Sequence, residues 1–361
     1  MHERNYGLDL LKAISMLMVV FLHTLGHGGI LNSCIPLSVN YEIAWGLEIA
    51  CFGAINCYAL ISGYVGIGAR FKVSNIVKLW IRVFFVSCSI SILFAVVKPA
   101  TLNIYVILKT IFPVMFKRYW YFTAYFGMFF FIPILNYIVN HMEEKLVKYF
   151  LFCLFVVFSV LQTMFHSDAF LTNNGYSTIW LSICYILGGY IRKYQDRFNV
   201  SIRKSIGIWL LCIFVTFMSK LGIEVLTTLV IGEARGGTLL VGYLSPTIII
   251  GSIALLNAFS KLSLYSRLKK IIVFLSNTSF GVYLVHDNDL IRENIIAGKF
   301  GIYAESMPFK FLIEFLITGL SIYFVSLLIE SVRALLFKLL KVDNIGTIAD
   351  RFFDRFNLNF D

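Results

Sequence analysis

The sequence predicts an all-α fold, a polytopic integral membrane bundle of about ten transmembrane helices with both termini cytoplasmic. Of the 361 residues, 59% are hydrophobic and 14% are charged, whereas soluble domains average about 45–50% apolar and about 25% charged residues. The apolar residues also form continuous runs, which favour membrane helices over the alternating strands of a barrel.

The apolar runs give the order of the spans. About 20 apolar residues cross the hydrocarbon core of a bilayer. Residues 1–340 are therefore interpreted as one membrane domain and residues 341–361 as a cytoplasmic amphipathic tail. The segment 101–117 is interpreted as a short re-entrant or interfacial helix because Lys109 and Pro113 interrupt it. The ten candidate spans lie near 8–28, 42–66, 74–97, 121–140, 147–166, 176–192, 204–222, 238–259, 271–290 and 308–337.

The basic residues predict the orientation of the bundle. Lys and Arg total 31 against 20 Asp and Glu, a net charge of +11, and such an excess is typical of cytoplasmic loops. With both termini inside, the loops 192–204 and 261–270 are cytoplasmic and rich in Lys and Arg, whereas the outer loops 29–41 and 167–175 have none. The exceptions on the outer side fall in one stretch, at Lys98, Lys109, Lys117 and Arg118.

Two kinds of ligand are not expected. No nucleic-acid-binding motif accompanies the positive charge, so nucleic acid is not a predicted partner. The 7 cysteines are scattered through apolar runs and form no CxxC pair. They are interpreted as small buried apolar side chains, and no metal site is predicted.

The first apolar run, GLDLLKAISMLMVVFLHTLGHGG, carries three ionisable residues, Asp9, Lys12 and His23. The eleven positions from Lys12 to His23 are about three helical turns, so both side chains project from one face about 16 Å apart. Singly, Lys12 could snorkel to the interface and His23 could be a hydrogen-bonded structural residue. Together they favour a shared passage, because ionisable groups within a span usually face the bundle interior or a watery cavity. Asp9 is expected to position Lys12.

The segment LDLLKAISMLMVVFLH resembles the first helix of the acyltransferase 3 family of bacterial membrane acyltransferases. The basic residue and the histidine of that family, separated by ten positions, fall on Lys12 and His23. The resemblance extends from about residue 4 to residue 290. Further similar segments, in the order that the family has them, are NCYALISGYVG, KLWIRVFF, YWYFTAYFGMFFFIPILN, LGGYIRKY and SNTSFGVYLVH.

The resemblance implies that an acyl group, usually acetyl, is transferred from cytoplasmic acyl-CoA to a hydroxyl of an extracytoplasmic glycan or lipid-linked sugar. It also implies location in the bacterial cytoplasmic membrane, with acetyl-CoA as the donor substrate and no permanently bound cofactor. The identity of the glycan and the length of the acyl group stay open at this point.

The predicted donor site uses basic residues near the cytoplasmic face. Lys12, Arg70, Lys78 and Arg82 are candidates for the phosphates of CoA, since Lys and Arg are the usual phosphate ligands. The family often has Arg-x-x-Arg in the third span, and here Leu79 occupies the first of those positions. Lys78 is four residues before Arg82 and shares its helix face. For Arg70 the alternative is the general excess of basic residues in cytoplasmic loops.

The predicted catalytic residues are His23 and Lys12. A neutral imidazole can take the proton of a sugar hydroxyl as that hydroxyl attacks the thioester. Alternatively, the histidine can accept the acyl group itself and pass it on. The sequence does not separate these two roles.

On the acceptor side, the predicted substrate-binding residues are His286, Glu48, Trp120 and Tyr121. His286 could instead orient His23, and the two aromatic residues could belong to the interfacial aromatic belt. A transporter or flippase for a sugar or lipid-linked saccharide is the alternative function, although the sequence has no inverted repeat that would favour one.

Overall fold

The computed structural model describes residues 4–198 and 200–354, and this part of the chain contains helices and no strand. An all-α membrane bundle is therefore confirmed. Short 3-10 helices cover Pro99–Thr101, Asn173–Gly175, Gly237–Leu240 and Gly301–Glu305, and π-helical turns cover Val156–Leu161 and Arg292–Ile296. The α-helices are α1 (Tyr6–Leu25), α2 (Ile30–Ser33), α3 (Val39–Cys51), α4 (Ala54–Gly66), α5 (Val73–Val97), α6 (Ile104–Ile111), α7 (Trp120–Phe129), α8 (Ile132–His141), α9 (Glu144–Phe155), α10 (Gln162–Met164), α11 (Thr178–Lys193), α12 (Ile202–Ile231), α13 (Pro246–Ser260), α14 (Ser266–His286), α15 (Asp289–Ile291), α16 (Pro308–Leu339) and α17 (Asp343–Asp354).

Seven helical segments in the described part are long and apolar enough to cross a membrane. The pair α7 and α8, bent by 59° at the break between them, is either an eighth, broken span or a re-entrant loop. Two further predicted spans coincide with α11 and α13, which have 16 and 15 residues, fewer than the roughly 20 that a straight crossing needs. The count of ten crossings and the cytoplasmic side of the termini therefore stay predictions. The seven segments are Tyr6–Ser33, Val39–Gly66, Val73–Val97, Glu144–Met164, Ile202–Ile231, Ser266–His286 and Pro308–Leu339.

Helix α1 lies inside the bundle. It packs against α3, α4, α13, α14 and α16, so its polar side chains face other helices and not lipid. The side-chain oxygen of Asn5 accepts from the N–H of Leu8 at 3.1 Å and caps the first turn, which satisfies one of the free donors of a helix start. The helix ends before Gly26, and Gly29 adopts a φ of +88°, a conformation that favours glycine.

Helices α4 and α11 are in backbone contact through glycine. A Cβ on Gly63 would overlap the carbonyl oxygen of Tyr185, and a Cβ on Gly188 would overlap the carbonyl oxygen of Leu60. Small residues allow membrane helices to approach closely, and close packing drives their association in lipid. This contact fixes the position of α4, which carries Tyr58 toward α1.

Two peripheral helices, α6 and α17, pack on α5. The segment 101–117 contains α6, a helix of 8 residues that packs on α5, so it is short as predicted. Helix α17, from the predicted tail 341–361, also packs on α5, and Asp350 Oδ1 accepts from the N–H of Ser74 at 2.8 Å. Residues 355–361 of the tail lie outside the described residues, and the interfacial role of the tail stays a prediction.

The contact between α4 and α11 predicts a selective effect of alanine. Gly188→Ala should lower the free energy of unfolding by about 1–3 kcal/mol, because the added methyl group overlaps backbone that cannot rotate away. Gly222→Ala in α12 is the control, since its Cβ would meet no described atom within 4 Å. The measurement is the thermal midpoint of the purified protein in detergent. Equal midpoints for the two variants would contradict the backbone contact.

Candidate active site

A pair of histidines joins the end of α1 to the end of α14. His23 Nδ1 lies 3.0 Å from His286 Nε2, and His286 Nδ1 lies 2.6 Å from the carbonyl oxygen of Val282. A carbonyl oxygen only accepts, so the neutral His286 ring carries its proton on Nδ1 and accepts through Nε2. His23 Nδ1 must then be the donor between the rings, an assignment that follows from the hydrogen-bond partners. The Nε2 atom of His23 is left with a lone pair that can act as a base.

A buried carboxylate stands beside this pair. Asp287 Oδ1 lies 3.6 Å from His23 Nδ1 and 3.1 Å from Arg292 Nη1. The Asp287 side chain is 4% exposed, whereas that of His23 is 18% exposed. A proton taken up by His23 would create a positive charge close to this carboxylate, which would stabilise it in a site of low dielectric. Arg292 compensates the burial of Asp287 in the resting state.

Three residues at this end of α1 are also close enough together to be considered as metal ligands. One ligand atom each of His23, His27 and Asp287 lies within 4.8 Å of the others. However, Asp287 Oδ1 already accepts from Arg292, and His23 Nδ1 contacts His286. The guanidinium charge opposes a second cation at this carboxylate. The geometry therefore favours a hydrogen-bonded base, and the absence of a metal site stays a prediction.

A basic cavity lies at the other end of α1. It has a volume of about 890 Å³ and Asp9 is the carboxylate in its lining. Asp9 accepts from Arg4 Nε at 2.6 Å and from Ser276 Oγ at 2.8 Å. The hydrogen bond to Asp9 raises the pKa of Arg4, so Arg4 stays positively charged. The basic residues of the lining are Arg4, Lys12, Arg70, Lys72, Arg192 and Lys193.

A column of aromatic rings connects this cavity with the histidine pair. Tyr58 lines the cavity, and its hydroxyl donates to the carbonyl of Lys12 at 3.0 Å. Ring centroids are 6.0 Å apart from Tyr58 to Tyr121, 6.4 Å from Tyr121 to Tyr283, and 6.3 Å from Tyr283 to His286. The interior of the bundle is therefore aromatic along the whole path between the two sites.

The structure separates the four residues predicted to bind CoA. Lys12 and Arg70 line the cavity, whereas Lys78 and Arg82 are not part of its lining. The Lys78 side chain lies over Gly346 of α17.

Arg82 is bound instead to groups of the bundle. Its Nη2 pairs with Glu330 and donates to the carbonyl of Asn277 at 3.3 Å. Glu330 also pairs with Arg333 at 2.7 Å. Since Asn277 lines the cavity, Arg82 lies behind the wall and supports it.

The residues predicted to bind the acceptor lie in different surroundings. The ring centroid of Trp120 lies 4.5 Å from that of Tyr176 and 6.1 Å from that of Tyr243. Glu48 is 9% exposed, and its Oε2 has no hydrogen-bond partner among the described residues. Trp120 also lies 5.6 Å from the ring of Tyr121, centroid to centroid, so this group adjoins the aromatic column.

Tyr121 and His286 are the other two residues predicted to bind the acceptor. Tyr121 lies deeper in the bundle, and His286 contacts His23. Tyr121 is buried within the aromatic column, which places it away from the expected aromatic belt. His286 is 1% exposed and binds His23. His286 is therefore in a position to orient His23, and its role stays a prediction.

Some charged residues of these sites had no predicted role, namely Arg4, Asp287, Arg292 and the neighbouring Arg192 and Lys193. Arg4 precedes the first helix, Arg192 lies in the last turn of α11 and Arg292 follows α15. Arg192 was part of the segment LGGYIRKY, where its charge was attributed to a cytoplasmic loop. Arg292 had no sequence signal, because its role depends on the fold of the turn after His286.

Comparison with known proteins completes the description of the site. A family profile described as an acyltransferase domain, acyltransferase 3, matches residues 5–331 of the 361-residue chain. No curated protein and no solved structure matches the chain significantly. The matched range includes α1 with its cavity, the aromatic column and the histidine pair. By this match the chain belongs to the acyltransferase 3 family of membrane acyltransferases.

Proposed function

We propose that the protein transfers an acyl group, expected to be acetyl, from cytoplasmic acyl-CoA to a hydroxyl of an extracytoplasmic glycan or lipid-linked sugar. The observation that carries the proposal is the placement of a basic cavity and a hydrogen-bonded base on one helix, about 16 Å apart along α1. Membership of the family gives the general reaction, acyl transfer. The bacterial cytoplasmic membrane is the proposed location.

The basic cavity is the proposed donor site. CoA carries several phosphate charges, and Lys and Arg bind phosphate through short charge-assisted hydrogen bonds. The lining has six basic residues and one carboxylate, so an anionic ligand is attracted. Among the basic residues of this lining, Lys12 is the one that belongs to α1. It is proposed to hold the donor while the thioester of the donor extends toward His23.

His23 is the proposed general base. Its Nε2 takes the proton of the acceptor hydroxyl while the hydroxyl oxygen attacks the thioester carbonyl. The new C–O bond forms, the C–S bond breaks, and the CoA thiolate leaves and regains a proton from the imidazolium. Asp287 stabilises that imidazolium, and His286 holds the ring in the required tautomer. A correctly placed base of this kind contributes roughly 10²–10⁴-fold to the rate.

The acceptor is proposed to enter on the side of Glu48 and Trp120. A sugar ring has an apolar face that can pack on Trp120 and Tyr176, and its hydroxyl groups can donate to the unpaired oxygen of Glu48. The aromatic column must open for the thioester to meet the acceptor. Rotation of Tyr58 and Tyr121 would make this path, because these rings lie between the cavity and the histidine pair.

Replacement of His23 tests the proposal directly. His23→Ala should reduce acyl transfer to surface glycans by roughly 10²–10⁴-fold, because the base is lost. NMR or mass analysis of O-acyl groups on the glycans of expressing cells gives the measurement. His141→Ala, at an exposed histidine of α8, is the control and should leave acylation unchanged. Normal acylation with an abundant, folded His23→Ala protein would refute the assignment.

The two possible roles of His23 can be separated by a covalent intermediate, which forms only if His23 accepts the acyl group itself. If His23 acts as a general base, acid quenching of the protein with labelled acetyl-CoA and no acceptor leaves no label on the chain. Stoichiometric label that is absent from His23→Ala would show an acyl-histidine and overturn the base mechanism. With either mechanism, hydrolysis of acetyl-CoA by the protein would also distinguish an acyltransferase from a transporter.

The donor site makes a separate prediction about affinity. Lys12→Gln should raise the KM for acetyl-CoA by roughly tenfold to a hundredfold, since a hydrogen bond between charged groups contributes about 1.5–3 kcal/mol. Binding of radiolabelled acetyl-CoA to membranes gives an independent measurement. Lys204→Gln removes an exposed lysine from the start of α12 and should not change the KM. An unchanged KM in Lys12→Gln would exclude Lys12 from the donor site.

A further inference from the structure

The basic residues expected on the outer side have acidic and amide partners in the structure. Lys109 Nζ lies 3.2 Å from Asp289 Oδ2, and Arg118 Nη2 lies 3.0 Å from Asp289 Oδ1. Lys98 Nζ donates to Asn294 Oδ1 at 2.7 Å. Three of the four exceptions to the charge distribution therefore bind one short segment, the residues that follow His286.

Arg118 is the most enclosed of these cations. Its side chain is 0% exposed. Besides Asp289, it donates to Asn288 Oδ1 and to Ser91 Oγ, each at 3.3 Å, and it also contacts Thr110. A buried charge is tolerated when it is paired and hydrogen-bonded. Arg118 is therefore occupied by the protein and is not available to an anionic acceptor.

The partners of Arg118 continue into the histidine pair. Asn288 Nδ2 donates to the Tyr119 hydroxyl at 2.7 Å, and that hydroxyl donates to the carbonyl of Leu284 at 2.9 Å. Asp287 lies between Asn288 and His286 in the chain. The last turn of α14 and the following turn are thus bound on both sides of the residues that contact His23.

We propose that Arg118, together with Lys109, is a positioning residue for the reaction. The two cations hold the turn 287–289 in place, so that the Asp287 carboxylate and His286 Nε2 both face the His23 ring. Arg118 touches neither substrate and acts through Asp289 and Asn288. This inference rests on the proposed function, because the effect of the positioning is a rate.

The test is Arg118→Met, measured as kcat and KM for acetyl-CoA with the full chain in detergent or vesicles. The kcat should fall by about tenfold to a hundredfold, because Asp289 loses its enclosed partner and the turn shifts. The KM should stay unchanged, since the basic cavity lies at the other end of α1. Arg235→Met is the matched control, because it removes an arginine from an exposed pair with Glu233, and it should alter neither constant.

A double variant separates positioning from the cost of a poorly compensated buried carboxylate. Arg118→Met with Asp289→Asn removes both charges, but it also removes the ion pairs through which Arg118 and Lys109 hold the turn. The kcat should therefore stay as low as in Arg118→Met, whereas the double variant should fold even if the single variant does not, because no carboxylate is left without its arginine. Recovery of the wild-type kcat in the double variant, or a single variant with unchanged kcat or with a raised KM, would overturn the positioning role.

The histidine signals give a readout that does not depend on turnover. In ¹⁵N-histidine NMR, the wild-type protein should show His23 protonated on Nδ1, assigned by its loss in His23→Ala. Arg118→Met should remove this signature, and the double variant should not restore it, because the ion pairs that hold the turn are absent from both. An unchanged signature in Arg118→Met would overturn the inference even if the protein transfers no acyl group, whereas failure of transfer with the expected NMR change would refute only the proposed function.

Discussion

Because the carbonyl of Val282 can only accept a hydrogen bond, it keeps the proton of His286 on Nδ1. His286 Nε2 then accepts from His23 Nδ1, so Nε2 is the nitrogen of His23 that is left without a proton. In the proposed mechanism, the direction of proton transfer depends on this contact. It requires that α1 and α14 end at the same level, which is why the packing of α14 on α1 and the turn after His286 have chemical as well as structural consequences. A shift of about 1 Å between these helix ends would lengthen the bond between the rings beyond hydrogen-bonding distance.

The position of α1 within the bundle explains how it tolerates its ionisable residues. A charged side chain facing lipid is costly, but α1 is enclosed by five other helices, and Lys12 opens into a cavity. The backbone contact of α4 with α11 brings Tyr58 against the carbonyl of Lys12. The basic cavity and the histidine pair thus share one rigid element, and their separation is set by helix geometry, not by loops.

Local pattern in the sequence was sufficient for part of this arrangement. The spacing of Lys12 and His23 is a property of one helix, so their alignment could be predicted, and the apolar runs predicted where the helices lie. The partner of Arg82 could not be predicted, because Glu330 is 248 positions away and no periodicity connects them. The apolar run 176–192 predicted α11, but its backbone contact with α4 through Gly63 and Gly188 had no signal in hydropathy.

The two ends of α1 differ in how their cations are compensated. Near His23, Arg292 pairs with Asp287 and Arg118 pairs with Asp289. At the other end, six basic residues surround one carboxylate. In the proposed reaction, an anionic donor is therefore attracted to the cavity, whereas an uncharged sugar hydroxyl can approach His23 without displacing an ion pair.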